Sequence, residues 1–149
     1  MPHRSAERGR DMESFFLNFP EGMPKGTSQQ KGVYVRNGKP HFYKKDKIES
    51  ARRQFVYALK RYAPKEPLKG NVRLTVWFVF DVKDKSKWGK WKPTRPDADG
   101  IVKEFLDAMQ EVGFFKDDAQ VVNLSVKKIY GECADIVVRY EELGESQNA

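Results

Sequence analysis

The sequence predicts an α+β domain in which two helices pack on one face of a small mixed β-sheet. Three observations lead there. Apolar residues recur at helical spacing in two separate stretches, and they alternate with period two in a third. The patterns follow the order strand, hairpin, helix, strand, helix, strand, strand. With 149 residues, one domain with a modest core is expected.

Taken in order, residues 1–12 read as a disordered polar tail, residues 13–143 as the domain, and 144–149 as a frayed end. SFFLNF is a short strand, and PEGMPKGTSQQKG is a connector rich in Gly, Pro and polar residues. In VYVRNGKPHFY, the Asn37-Gly38 pair marks a tight hairpin turn, since both residues tolerate positive φ. Asp46 then reads as an N-cap with Glu49 three residues on. Ile48, Ala51, Phe55, Ala58, Leu59 and Tyr62 keep helical spacing up to Pro64, which predicts a helix over roughly 47–62. Val72, Leu74, Val76, Phe78 and Phe80 alternate with a mixed face, so 71–82 is the central strand. A basic loop covers 83–96. Ile101, Phe105, Ala108, Met109 and Val112 predict a second amphipathic helix ending at Gly113, a natural left-handed C-terminal position. AQVVNLSVKKIY and ADIVVRYEE are read as two strands joined at GEC, as antiparallel neighbours.

Composition excludes several chemistries. The longest apolar run, LTVWFVF, is too short to span a bilayer, and the opening residues lack the apolar middle of a secretion signal, so a cytoplasmic protein with no membrane partner is expected. The lone Cys133 forbids an internal disulfide. With only His3 and His41, there is no zinc site and no Cys/His nucleophile pair. The net charge of +7 is unevenly spread: residues 39–95 hold 17 Lys/Arg against 5 Asp/Glu, whereas 96–149 hold 5 against 12. A polyanion-binding surface around a carboxylate-rich, cation-holding site has this form.

The acidic chemistry centres on RPDADGIVK. In extended chain, Asp97 and Asp99 point the same way, and two carboxylates aimed at one spot repel unless a cation lies between them. Lys103 is one helical turn beyond Asp99 and approaches from the side. In FFKDDAQVV, Val122, Leu124 and Val126 form the more apolar face of the next strand. Counting back by two puts Asp118 on the core side near Asp97 and Asp99, and Asp117 on the other. Three hard oxygen ligands suit Mg²⁺, with Mn²⁺ as the alternative. Such an ion polarises a phosphoryl oxygen and activates water for in-line attack on a phosphodiester. Lys103 would stabilise phosphate charge or orient the water. Against this stands a plain alternative, in which the acids cap the helix and Lys103 is a surface residue paired with Asp99 or Asp107.

Directly upstream, VKDKSKWGKWKPTRP groups Lys83, Lys85, Lys87, Lys90, Lys92 and Arg95 around Trp88 and Trp91. Lysines bind phosphates as point charges and indoles stack on unpaired bases, so the loop suits DNA with an open or distorted segment.

With these residues in view, the chain resembles the RusA family of Holliday junction resolvases, endonucleases of bacteria and their phages. The resemblance runs from about residue 14 to 142 and is most specific in RPDADGIVKEFLDAMQEVGFFKDDAQVV. It implies that Asp97, Asp99 and Asp118 bind metal, that Lys103 is the essential lysine, and that a Mg²⁺-dependent homodimer resolves branched, four-way DNA junctions in recombination and repair. Paired cuts on opposed strands agree with a two-fold axis. The chain departs from the pattern at Gly100, where the family commonly has Asn, so any hydrogen bond that Asn makes is missing here. Two other readings stay open: a non-catalytic DNA-binding module, and a nuclease of the same kind preferring flaps or forks. The intact Asp-x-Asp, Lys and Asp-Asp set favours the resolvase.

Overall fold

A computed structural model describes residues 12–25, 31–36, 38–44 and 46–145. Most of the expected tail and frayed end, Asn37 of the expected hairpin turn, and the side chains of the expected capping pair Asp46 and Glu49 lie outside the described residues.

Among the described residues six strands and two α-helices follow the expected order: β1 (Glu13–Asn18), β2 (Lys31–Arg36), β3 (Lys39–Lys44), α1 (Asp46–Leu59), β4 (Asn71–Asp81), α2 (Ala98–Val112), β5 (Val121–Gly131) and β6 (Asp135–Leu143). The strands β2 and β3 form their own two-stranded hairpin, with Gly38 at φ 75° in its turn. The other four make one mixed sheet in the order β1-β6-β4-β5, where β4 is parallel to β5 and antiparallel to β6.

The core lies between the helices and one sheet face. Val72, Leu74, Val76 and Phe78 of β4 are buried, as the alternation requires, together with Ile136 and Val138 of β6. Phe105 of α2 joins the layers, standing edge-on to Phe55 of α1 at 5.3 Å and to Phe78 at 5.8 Å. The chain leaves α2 at Gly113, where φ is 98° and the backbone N–H bonds back to Gln110 O at 3.1 Å.

One buried acid joins the helices. Glu104 is only 1% exposed, and Arg52 of α1 reaches its Oε1 through Nε at 3.2 Å and Nη2 at 2.9 Å. The same Nη2 donates to Asp107 Oδ2 at 3.1 Å, so one guanidinium satisfies two carboxylates of α2.

Two sequence expectations fail here. The strands β5 and β6 are not neighbours, because β4 lies between them; β6 pairs with β4 and β1, and among the named strands of the described residues β5 pairs with β4. The short GEC connection instead crosses the end of β4, where Val82 N–H bonds to Gly131 O at 3.0 Å. The face assigned to β5 holds for Leu124 and Val126, which pair with the buried Leu74 and Val76, but fails at Val122. Val72 pairs with Val121 but Arg73 pairs with Asn123, so a bulge at Val122 interrupts the alternation. Val122 is 57% exposed and Leu124 42% exposed, while Val121 and Val126 pack against the core. Among the described residues no helix is long and apolar enough to cross a membrane.

The Arg52–Glu104 pair supports a direct test. Arg52→Met strands a buried carboxylate and should lower unfolding free energy by about 3 kcal/mol in urea titration, the lower end of the range for a broken buried pair. Arg52→Met combined with Glu104→Met should recover most of that loss, since the unpaired charge is then gone.

Candidate metal and nucleic-acid site

The acidic pair lies where the basic loop turns into α2. Asp97 is the N-cap residue, with extended backbone (φ −68°, ψ 144°), yet its side chain makes no capping hydrogen bond. Its carboxylate is exposed and is not spent on the helix. Asp99 is already in the first turn, with Oδ1 accepting from Gly100 N–H at 2.9 Å. The expected shared direction in extended chain therefore fails, because the helix begins one residue earlier, at Ala98. Both carboxylates nevertheless stay exposed at one helix end, where the dipole favours negative charge.

Asp118 lies at the other end of α2. It opens a short 3-10 turn, Asp118–Gln120, and its backbone N–H donates to Gln110 Oε1 at 2.8 Å. Thirteen residues separate Asp97 from Gln110, about 20 Å of helix at 1.5 Å per residue. Within one chain the structure does not bring Asp118 to Asp97 and Asp99, and among the described residues no group of three or more His, Cys, Asp or Glu could hold a metal ion. Asp117 caps the turn through Ala119 N–H at 2.9 Å. That leaves the half-buried Asp118 side chain uninvolved in the cap.

The DDAQVV motif has a physical reason in Gln120. Its Oε1 accepts from Lys116 and Asp117 N–H at 3.1 and 3.2 Å, and its Nε2 donates to Leu68 and Gly70 O at 2.8 and 3.0 Å. Four bonds from one amide tie the Asp118 turn to the start of β4. Lys103 is exposed on α2, with Nζ 3.9 Å from Asp107 Oδ2, so it leans toward Asp107 and not Asp99. An ion pair of that length from an exposed lysine is weak and leaves the ammonium available.

The basic loop is more ordered than its composition suggests. It runs antiparallel along the outer edge of β5: Gly89 N–H bonds to Tyr130 O at 2.8 Å, Tyr130 N–H to Lys90 O at 3.0 Å, and Lys92 N–H to Lys128 O at 2.9 Å. Trp91 bridges to Ile129 in the same way. The loop so acts as a short added strand over the last part of β5. Lys83, Lys85, Lys87, Lys90 and Arg95 are exposed, while Lys92 is half-buried with its ammonium over the Phe80 and Tyr130 rings at 5.1 and 5.3 Å. The two indoles differ. Trp88 folds inward and donates from Nε1 to Val82 O at 2.8 Å, whereas Trp91 is 67% exposed. Asp84 starts the loop's 3-10 turn, and its hydrogen bonds from Ser86 hold its carboxyl below the usual range.

Sequence reasoning missed Lys128. It lies on the helix side of β5, opposite Phe78, with Nζ bonded to Thr94 O and Pro96 O. Burial pushes its pKa down, helped by the charge of Lys92 and opposed by Asp97 and Tyr130. The available signal was a lysine at an inward position of a strand, visible only with the correct register. Arg52 and Glu104 were also missed as a pair, since 52 residues separate them.

Known proteins are similar to this chain over most of its length. It is 34% identical over 119 residues to the crossover junction endodeoxyribonuclease rusA of Lactococcus phage r1t, covering 78% of this chain and 89% of that one. It is 28% identical over 134 residues to the uncharacterized protein YqaN of Bacillus subtilis (strain 168), covering 83% and 89%. The profile of the family Endodeoxyribonuclease RusA matches residues 21–141, which takes in the acidic pair, the basic loop, Lys103 and the Asp118 turn. The chain belongs to the RusA family of endodeoxyribonucleases, metal-dependent hydrolases of phosphodiester bonds.

Proposed function

We propose that the protein resolves four-way DNA junctions as a homodimer, by paired Mg²⁺-dependent phosphodiester hydrolysis, in the DNA recombination and repair of a bacterial or phage-infected cytoplasm. The observation that carries this reading is the Asp97 carboxylate, which sits at a helix N-terminus and caps nothing, next to Asp99 and downstream of a basic loop laid on the sheet edge. A cap residue would use its side chain. The phage relative bears the name of an enzyme acting on crossover junctions.

Oxygen-only donors suit a hard divalent ion, Mg²⁺ with Mn²⁺ as the alternative. Asp97 and Asp99 of one chain would hold it, and Asp118 would complete the set from a second copy. When bound, the ion supplies Lewis-acid polarisation of the scissile phosphate and a lowered pKa for the attacking water. Lys103 would meet the developing negative charge on the phosphate. The exposed lysines of the loop neutralise backbone charge and hold the strand against the acids.

The second copy follows from distance. The first half of β5 is an edge strand, unpaired on one side among the described residues, with Val122 and Leu124 exposed on it. Antiparallel pairing of two such edges about a two-fold axis near Leu124 would set the 118–120 turn of one copy at the Lys128 end of the other. Asp97 lies at that end, as the bond from Lys128 to Pro96 O requires. One two-fold axis would thus complete two sites and cover two exposed apolar edges.

Two experiments test the reading. Asp99→Asn and Asp118→Asn should each abolish cleavage of a synthetic four-way junction in Mg²⁺ while leaving junction binding intact. If the sites are composite, mixing the two variants rebuilds one intact site per heterodimer and restores single nicks. Recovery of nothing on mixing would argue for a site within one chain, and normal cleavage by both variants would remove the acids from the chemistry altogether. Flapped and forked duplexes in the same assay read the substrate preference.

The loop gives the second test. Trp91→Ala should weaken junction binding by about 1–3 kcal/mol if its exposed indole stacks on an opened base. Trp88→Ala should act through loop stability instead, leaving junction affinity less affected at low temperature. Replacing Lys85, Lys87 and Lys90 with Ala should flatten the log–log salt dependence of binding by about 0.9 for each phosphate that is no longer neutralised. An unchanged salt slope would take the loop out of the DNA interface and leave Lys60 and Arg61, in the 3-10 turn that follows α1, as the next candidates.

A further inference from the structure

Lys128 is placed where a cation is unwelcome. It is half-buried between β5 and the start of α2, its pKa is lowered chiefly by that burial and by the like charge of Lys92 against the opposing pull of Asp97 and Tyr130, and the adjacent helix N-terminus carries the positive end of its dipole. A neutral side chain would fill the same space with a smaller desolvation penalty. What the ammonium gains is specific: Nζ donates to Thr94 O at 2.8 Å and to Pro96 O at 2.6 Å, the carbonyls on either side of Arg95. Lys92 holds the same segment a second time, through its own N–H to Lys128 O and through Nζ to Thr94 Oγ1 at 2.7 Å.

The consequence falls on Asp97, the next residue. Its side chain has no capping bond to orient it, so its position depends on the backbone that enters the helix. We propose that Lys128 is a positioning residue for the acidic pair: by clamping the carbonyls of Thr94 and Pro96, it fixes the point at which Asp97 leaves the loop and keeps its carboxylate available to a cation. The inference rests on the nuclease reading above, in which Asp97 is a metal ligand. It assigns Lys128 no contact with DNA, since two of its three N–H donors are already used inside the protein.

The test compares Lys128→Met, which keeps length and loses the donors, with Lys128→Arg, which keeps a charge and forked donors. In Lys128→Met, kcat on a saturating junction in saturating Mg²⁺ should fall by about 10–100-fold, the scale of a misplaced reacting group. Junction Kd without metal should stay at the wild-type value, Mn²⁺ binding by titration calorimetry should weaken, and amide exchange over residues 97–100 should speed up. Lys128→Arg should recover most of kcat. Wild-type kcat and Mn²⁺ affinity in Lys128→Met would overturn the assignment, and so would a loss of junction affinity parallel to the loss of cleavage, which would make Lys128 a DNA-binding residue. Asp97→Asn separates the two levels. If it cleaves normally, the metal reading itself fails, whereas an inactive Asp97→Asn beside a normal Lys128→Met removes only the role of Lys128.

Discussion

Parallel pairing of β4 with β5 governs the rest of the molecule. Two parallel neighbours cannot be joined by a tight turn, so the chain must return the length of the sheet between them, and α2 is that return. The crossover buries α2 along β4 and fills the core with Ile101, Phe105, Ala108 and Met109. It also puts the two ends of the acidic motif at opposite ends of one helix. Asp97 and Asp99 open α2, and Asp118 follows its close, so the fold that makes the domain stable keeps its acids at opposite ends of about 20 Å of helix in a single chain. In the proposed homodimer, a second copy related by a two-fold axis would reunite them.

The helix pair adds a second constraint. Burying Glu104 between α1 and α2 desolvates a carboxylate, a penalty that only a well-formed partner offsets. Arg52 is that partner, and because it also holds Asp107 it fixes the residue nearest Lys103. Stability and site geometry therefore share one ion network. It holds α2 against α1, and the exposed Lys103 leans on its edge through a weak 3.9 Å contact with Asp107.

The basic loop and Lys128 show how an exposed segment is kept in place. Three backbone hydrogen bonds lay residues 89–92 along β5, which also covers part of an edge strand. Just beyond, Lys128 and Lys92 grip Thr94 and Pro96 from below. The loop is thus anchored at its centre and at its exit, directly before Asp97, while Lys83, Lys85, Lys87 and Lys90 remain exposed, Lys85 and Lys87 with their ammonium groups over the rings of Trp88 and Tyr130. Anchored backbone with exposed charge presents cations to a polyanion effectively, since little conformational entropy is left to lose on binding.

Local periodicity was enough to place both helices, the central strand, the hairpin with its Gly38 turn, and the helix end at Gly113, because each depends on contacts within a few residues. The acidic pair was legible for the same reason: Asp97 and Asp99 are adjacent to the helix start that the apolar spacing reveals. Neighbour choice was not legible. Alternation shows which residues of β5 and β6 share a face, but it does not show that β4 separates those strands, since that depends on how the whole sheet buries Val72 to Phe78. Strand parity does not extend to Asp118, because Val122 is bulged and Asp118 stands in the 3-10 turn before β5 begins at Val121. Trp88 and Trp91 look alike in sequence, yet one indole found a carbonyl and the other did not. Lys128 became visible only when the parallel register set it opposite Phe78, under a loop more than thirty residues earlier in the chain. Such pairings depend on long-range geometry, which no local pattern contains.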